Sequence, residues 1–263
     1  MISDHPSFRH PSDPNIKIWR YMDLSKFLSL LLDRSLHFAR GDTLGDPFEG
    51  SVTQLDHDLR AYIIANRHTD ARLVQWRDIP DEALKQMFET QAKSNKSYPS
   101  LCYVSCWHMN EYESAAMWRQ SDEAICIQST FKRLQEGLPS YVHAGEISYI
   151  DYERGTIPVG GAAVGCFNDR NFPPVCTENS FAHERELRAI ILGLPEGAPH
   201  ETLPFKVVDK GVPVPIDLEQ LIETIRVSPT SKTWFKDVVS RIVTGRGLNI
   251  PVLQSSLSAT PLY

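Results

Sequence analysis

Hydrophobic residues recur along this chain in two alternating rhythms. KIWRYM (17–22) alternates with the period of a strand. LSKFLSLLLDRS then sets Leu24, Phe27, Leu28 and Leu31 on one helical stripe, and SLHFAR (35–40) returns to strand. Asp23 stands just before the helical stretch, where its carboxylate accepts the free amides of a first turn. The predicted opening is therefore strand–helix–strand. Residues 1–16, polar and broken by Pro6, Pro11 and Pro14, read as a flexible leader. GDTLGDPFEG (41–50) is a loop dense in Gly, Asp and Pro. Residues 51–95 read as helical, most clearly in VTQLDHDLRAYIIAN and in PDEALKQMFETQAK, whose Pro80 and acidic first turn suit a helix start.

Strand signals dominate the chain from residue 98 onward. YPSLCYVSCW (98–107) is the strongest, then EAICIQST (123–130), YVHAGEISYID (141–151) and ERELRAIIL (184–192). NEYESAAMWRQ (110–120) reads as a short helix or turn and FKRLQEGL (131–138) as a short helix. FKVVD (205–209) and GVPVPI (211–216) suit two hairpin strands. DLEQLIETIRVSP (217–229) starts on an Asp cap, forms a helix and runs into a strand. SKTWFKDVVSRIVTGRG (231–247) is an amphipathic helix closed by glycine, and IPVLQSSL (250–257) is the last strand. No repeat, low-complexity tract or obvious linker interrupts the series. The fold class this predicts is α+β: a single mixed domain over 17–263 around a central, mostly antiparallel sheet, with a Gly/Pro-rich insertion around 153–180.

Composition changes the picture by exclusion. With 263 residues and 41% hydrophobic content, the chain has enough apolar material for a core, so disorder is not its main state. Its apolar runs are too short to span a bilayer, and no signal peptide stands at the N-terminus. Lys and Arg number 27 against 33 Asp and Glu, a net charge of −6. That balance disfavours a nucleic-acid coat or a polybasic membrane binder, yet leaves room for a small basic pocket that takes a phosphorylated ligand. The five cysteines are odd in number, and Cys102 and Cys106 lack zinc-knuckle spacing. In their apolar run these two read as core thiols of a cytoplasmic protein, whereas Cys166 and Cys176, in the Gly/Pro-rich region, leave an exposed reading open.

Several polar constellations carry candidate chemistry. Arg20–Tyr21 puts a guanidinium inside an apolar strand, which is costly unless it pairs or binds an anion. Ser105 sits in a run with Trp107, and Trp118 comes a turn later; small polar and aromatic residues of this kind line clefts for ring-bearing ligands. HERELR, read as a strand, projects Glu184, Glu186 and Arg188 to one face and His183 and Arg185 to the other. Two close carboxylates raise each other's pKa, which suits hydrogen bonding to a sugar hydroxyl or proton transfer. Asp46 and Glu49, flanking Pro47 and Phe48, form a weaker candidate for substrate contact. No GxSxG, HExxH, Walker A or dinucleotide fingerprint occurs.

These motifs carry two resemblances. KIWRYMD, LHFAR…GDPFEG, YVSCW…AAMW, HERELR and LIETIRVSP…W…SSL occur in the order of the bacterial domain of unknown function 2971, over about Lys17 to Leu257. That likeness implies a phage-defence or toxin-like role. The order of Arg20, Ser105 and Glu184–Arg185–Glu186 is also similar to the arginine-specific ADP-ribosyltransferases, although Cys106 and Trp107 come after Ser105 where a second serine is usual. This resemblance implies that Arg20 holds the phosphates of NAD and that Ser105 supports the nicotinamide-ribose subsite. It further implies that Glu186 bonds the ribose 2′-hydroxyl and stabilises an oxocarbenium-like state.

Three functions then compete. The first is an NAD-consuming enzyme that passes ADP-ribose to a protein or nucleic-acid acceptor or to water. Glu186, Glu184 and Arg20 are its catalytic residues, and Arg20, Tyr21, Ser105, Trp107, Trp118 and Arg188 contact the nucleotide. The second is a non-catalytic sensor or interaction domain docking a partner through the acidic surface and the 153–180 segment. The third is a magnesium-dependent nuclease with Asp46, Glu49, Glu184 and Glu186 around the ion.

Overall fold

A computed structural model describes residues 8–45, 51–120, 124–154, 176–192 and 207–259. Its strands are β1 (Lys17–Met22), β2 (Ser35–Arg40), β3 (Cys102–Met109), β4 (Ile125–Thr130), β5 (Val142–Glu146), β6 (Ser148–Ile150), β7 (Cys176–Glu178), β8 (Glu186–Leu192), β9 (Gly211–Pro215), β10 (Thr224–Val227) and β11 (Val252–Gln254). Its helices are α1 (Leu24–Asp33), α2 (Gln54–Asn66), α3 (Asp81–Ser97), α4 (Phe131–Gly137), α5 (Leu218–Leu221) and α6 (Thr233–Gly245). The fold is mixed α+β around a largely antiparallel sheet. Nine strands build it among the described residues, in the order β11-β10-β4-β1-β3-β2-β9, with β8 and then β5 added on β3. Only the β10–β11 pair in this sheet is parallel; β6 and β7 form a small parallel pair apart from it.

The sheet forks on β3. One edge of β3 pairs with β8 throughout, from Cys102 opposite Leu192 to His108 opposite Glu186. The other edge is claimed by two strands: β1 pairs only at Ile18–Met109 and Trp19–His108, and β2 only at Ala39–Val104 and Arg40–Tyr103. Both run antiparallel to β3, so continuing either register would fill the stretch from Ser105 to Trp107. Neither does. Arg20–Met22 stays on β4 and Ser35–Phe38 stays on β9, with α1 joining the two diverging ends. A wedge therefore opens over Ser105–Trp107.

Helices fix this divergence by burial. Asp23 Oδ1 accepts the Lys26 amide at 2.8 Å and starts α1, whose Phe27, Leu30 and Leu31 enter the main core. Phe235, Val239 and Val243, four apart, seat α6 on the same core. Ile63 of α2 with Leu84 and Phe88 of α3 form a separate apolar cluster. No helix among the described residues is long and apolar enough to cross a membrane.

Three expectations need correction. The segment from Phe8 to Ile16 is not a loose leader. Phe8 is buried and stacks on His143 at 5.2 Å, Arg9 O accepts the Glu146 amide at 2.8 Å, and Pro14 O accepts the Lys132 amide at 2.8 Å. Gly145 permits this approach, since a Cβ there would meet Phe8 Cα at 3.0 Å. The strand expected over 141–151 breaks at Ile147, whose amide turns to Glu186 O at 3.0 Å, so β5 and β6 belong to different sheets. The strand expected from Tyr98 begins at Cys102 after a 3₁₀ turn. The 153–180 insertion lies largely outside the described residues.

Gly41 closes the fork's base. It is buried just after β2, and a Cβ there would stand 2.8 Å from Pro99 O and 3.3 Å from Pro99 Cα, backbone atoms leading into β3. Gly41→Ala is expected to cost about 1–3 kcal/mol through overpacking against this backbone. A urea midpoint equal to wild type would show that β2 and β3 separate there at no cost.

Candidate functional site at the fork

A cavity of about 530 Å³ fills the wedge. Strand register explains what reaches it. Trp19, His108 and Glu186 are cross-strand neighbours in one row, and cross-strand neighbours share a sheet face. Tyr21 and Cys106 are two residues along from members of that row and so lie on the same face. Arg20, Met22 and Trp107 alternate with them and lie on the opposite face. All eight line the cavity. A continuous sheet would hold these two sets apart; the fork lets one space touch both.

Arg20 bridges the wedge. Nη1 donates to Ser105 Oγ on β3 and Nη2 to His37 O on β2 at 3.1 Å, while the guanidinium carbon lies 5.9 Å from the Trp107 ring centroid. Trp107 Nε1 also donates to Ser105 Oγ, at 3.2 Å, so one buried hydroxyl aligns both side chains. No carboxylate among the described residues pairs with Arg20. Burial lowers its pKa from the ordinary arginine value, yet guanidinium keeps its charge at neutral pH. A half-buried cation on a cavity wall, with no carboxylate partner among the described residues, is a site for an anion.

The opposite wall is acidic. The Glu186 amide donates to Tyr149 Oη at 2.5 Å, and Glu186 Oε1 accepts from Nε of the buried Arg188 at 2.9 Å. Glu184 is half-buried, and burial together with the charge of Glu186 pushes its carboxyl above the ordinary range. Burial and the Glu186 charge also push the Cys106 thiol well up, which keeps it protonated. Burial raises the Tyr149 hydroxyl to about 12.

The reading of HERELR as one strand does not hold. Residues Asn179–Glu184 form a 3₁₀ turn, and Arg185 adopts a left-handed conformation with φ 44° before β8 begins at Glu186. Glu184 and Glu186 share the cavity because of this twist rather than by strand alternation. Glu184 O accepts from His108 Nδ1, and Arg185 O accepts the Met109 amide at 2.9 Å, which pins the turn to β3.

The other predicted residues separate into two layers. Arg20, Tyr21, Trp107, Glu184 and Glu186 line the cavity; Ser105, Arg188 and Trp118 stand behind them. Trp118 is buried and is not among the residues that line the cavity. Its Nε1 donates to Glu113 at 3.0 Å, and its ring backs Tyr21 edge-on at 5.0 Å. His108 and His37, which the sequence reading did not single out, also line the cavity, and so does Cys106, which it read as a core thiol. Their signal was positional: Cys106 and His108 alternate with Ser105 and Trp107 on one strand. Asp46 and Glu49 lie outside the described residues, and no group of three potential metal ligands gathers among those described.

No family model matches the chain, that of domain of unknown function 2971 included, and no curated protein matches it. Among solved structures it is similar to the Thermus sp. 2.9 DarT in complex with carba-NAD+. The two are 10% identical with a TM-score of 0.38 over 94% of this chain and 97% of that one. The same protein in complex with ADP-ribosylated ssDNA gives 11% identity and a TM-score of 0.37 over the same shares.

Proposed function

We propose that the fork binds NAD as a substrate, cleaves its nicotinamide–ribose bond and passes ADP-ribose to a protein or nucleic-acid acceptor or to water. One observation carries this reading: an arginine with no carboxylate partner among the described residues and a carboxylate braced by a buried arginine line the same cavity. The ligand such walls select has an anionic portion and a portion that becomes positive. NAD has both. Its pyrophosphate suits Arg20, whose guanidinium has more N–H donors than its bonds to Ser105 and His37 use.

At the other wall, the C1′–N bond breaks with its electron pair leaving on nicotinamide. Positive charge develops on the ribose, and the fixed negative charge of Glu186 stabilises it where water is scarce. The acceptor then adds to C1′ and releases its proton. Arg188 acts through Glu186 by holding its carboxylate in place, and Ser105 acts through Arg20 in the same way.

The reading is tested by nicotinamide release from NAD. Arg20→Lys keeps the charge but loses the planar fork that spans β2 and β3. It is expected to raise KM for NAD about tenfold, with a smaller change in kcat. An unchanged KM would remove Arg20 from the phosphate subsite.

A further inference from the structure

Glu186 opens β8, and the ladder beside it ends half made. The register of β5 on β8 sets Glu146 opposite Leu187, so its next step would set Ile147 opposite Glu186. Two antiparallel residues that exchange bonds each supply one N–H and one C=O. Ile147 supplies only the first: its amide donates to Glu186 O at 3.0 Å, and the chain then leaves for β6. The Glu186 amide belongs to a residue only 6% exposed, where an N–H without an acceptor is costly. Tyr149 provides the acceptor. Its Oη takes that amide at 2.5 Å, so a phenol stands where the strand carbonyl is missing.

Tyr149 holds the acidic wall from both ends. Its strand pairs with β7, Tyr149 opposite Thr177, and β7 runs into the 3₁₀ turn Asn179–Glu184. Glu184 and the left-handed Arg185 therefore lie between the β7 pairing and the hydroxyl bond to Glu186. Arg188 braces the Glu186 side chain separately, and Tyr149 is not among the residues lining the cavity. Burial, with the charges of Glu186 and Glu184, outweighs the amide bond and holds the Tyr149 hydroxyl up at about 12, so it is a neutral phenol at neutral pH. Removing it deletes a hydrogen bond and no charge.

We propose that Tyr149 is a positioning residue for the reaction at the fork: by holding the Glu186 amide, its hydroxyl sets where the Glu186 carboxylate stands against the bond that breaks. The proposal rests on the NAD reading above and adds a residue to it. Tyr149 touches no substrate and acts only through Glu186. The charge that Glu186 meets develops in the transition state, so a displaced carboxylate loses rate while ground-state binding, carried by the opposite wall, is kept.

The test is Tyr149→Phe in the full chain, which removes one oxygen and keeps the ring. For nicotinamide release from NAD, kcat is expected to fall about tenfold, the effect of one lost hydrogen bond, with KM within about twofold of wild type. A role in packing alone would lower the thermal melt and leave that split unmade. In ¹⁵N-labelled protein the Glu186 amide proton is expected to move upfield while the amides of Leu187 and Ala189, bonded to β3, stay in place. An unmoved Glu186 amide, or a wild-type kcat once that amide has moved, would overturn the proposal and leave the NAD reading standing. A raised KM at unchanged kcat would overturn it as well. No nicotinamide release from the wild-type chain would instead overturn the NAD reading, and this proposal with it. Deuterium exchange of the wild-type chain gives a second measurement that needs no variant. The Glu186 amide is expected to be protected to the level of its β8 neighbours, and exchange at the rate of an open loop would show that Tyr149 does not hold it.

Discussion

Glu186→Gln is expected to reduce nicotinamide release from NAD by at least about a hundredfold, the scale on which a preorganised electrostatic group acts on a developing charge. The amide keeps the shape and an oxygen that accepts from Arg188, so the change isolates the negative charge. Catalysis by charge requires that the carboxylate gain more in the transition state than in the ground state. NAD affinity should therefore fall far less than turnover. Glu186→Gln turning over NAD at the wild-type rate would refute the proposed chemistry.

The buried position of Arg188 adds a cost that Glu186 considered as a lone strand residue would not carry. Arg188 is 4% exposed, and Nε reaches Glu186 at 2.9 Å. A hydrogen bond between charged groups is worth about 1.5–3 kcal/mol, so Glu186→Gln should also melt several degrees below wild type. Activity should accordingly be measured well below that melt, with binding of NAD to the variant confirming an intact fork. Loss of turnover with retained binding is the pattern that separates chemistry from collapse.

The local elements were legible where one face or one cap decides them. KIWRYM and SLHFAR occupy the strands read from their alternation, and Asp23 caps α1 because an Asp carboxylate satisfies a first turn wherever its helix packs. The ordered positions of Arg20, Ser105 and Glu186 also brought out residues that meet at one fork. Their arrangement was not legible. Nothing local to β1 or β2 says that both will claim the same edge of β3, and it is this competition that opens the cavity. The left-handed Arg185 was equally hidden, since HERELR alternates well enough to pass for strand.

The two-layer structure of the site lies beyond periodicity for a further reason. Trp118 and Tyr21 are far apart in sequence and both aromatic, so either suits a ring-binding wall. Their division of labour is set by Glu113, a residue of the 110–120 turn with no local signal of its own. The packed segment from Phe8 likewise depends on Gly145 across the fold, a contact no window of sequence contains.

Glu113 carries the second large expected effect, on stability. Its carboxylate is buried and saturated: Oε1 accepts from Arg226 Nη1 at 2.8 Å, the Ser256 amide at 2.9 Å and Ser256 Oγ at 2.8 Å, and Oε2 accepts from Trp118 Nε1 at 3.0 Å and from Ser255 Oγ. One side chain thus ties β10, the turn after β11 and the tryptophan behind Tyr21 into a single network. Glu113→Ala leaves Arg226 facing a void beside Trp19, whose ring centroid lies 5.7 Å from the guanidinium carbon. Removing one partner of a buried ion pair costs about 3–5 kcal/mol, which for a chain of this size lowers Tm by about 10 °C. The pH dependence has a definite sign. Burial alone would raise the Glu113 carboxyl, but the bonds from Ser255 and Ser256 and the charge of Arg226 outweigh it and hold the pKa below the usual carboxylate range. A group depressed in the folded state stabilises fully above its unfolded pKa and loses that contribution as pH falls through the folded one. Wild type should therefore lose stability below about pH 4 more steeply than Glu113→Ala, and the two urea midpoints should converge in acid. A constant gap between them at every pH would show that Glu113 contributes by packing and not by charge.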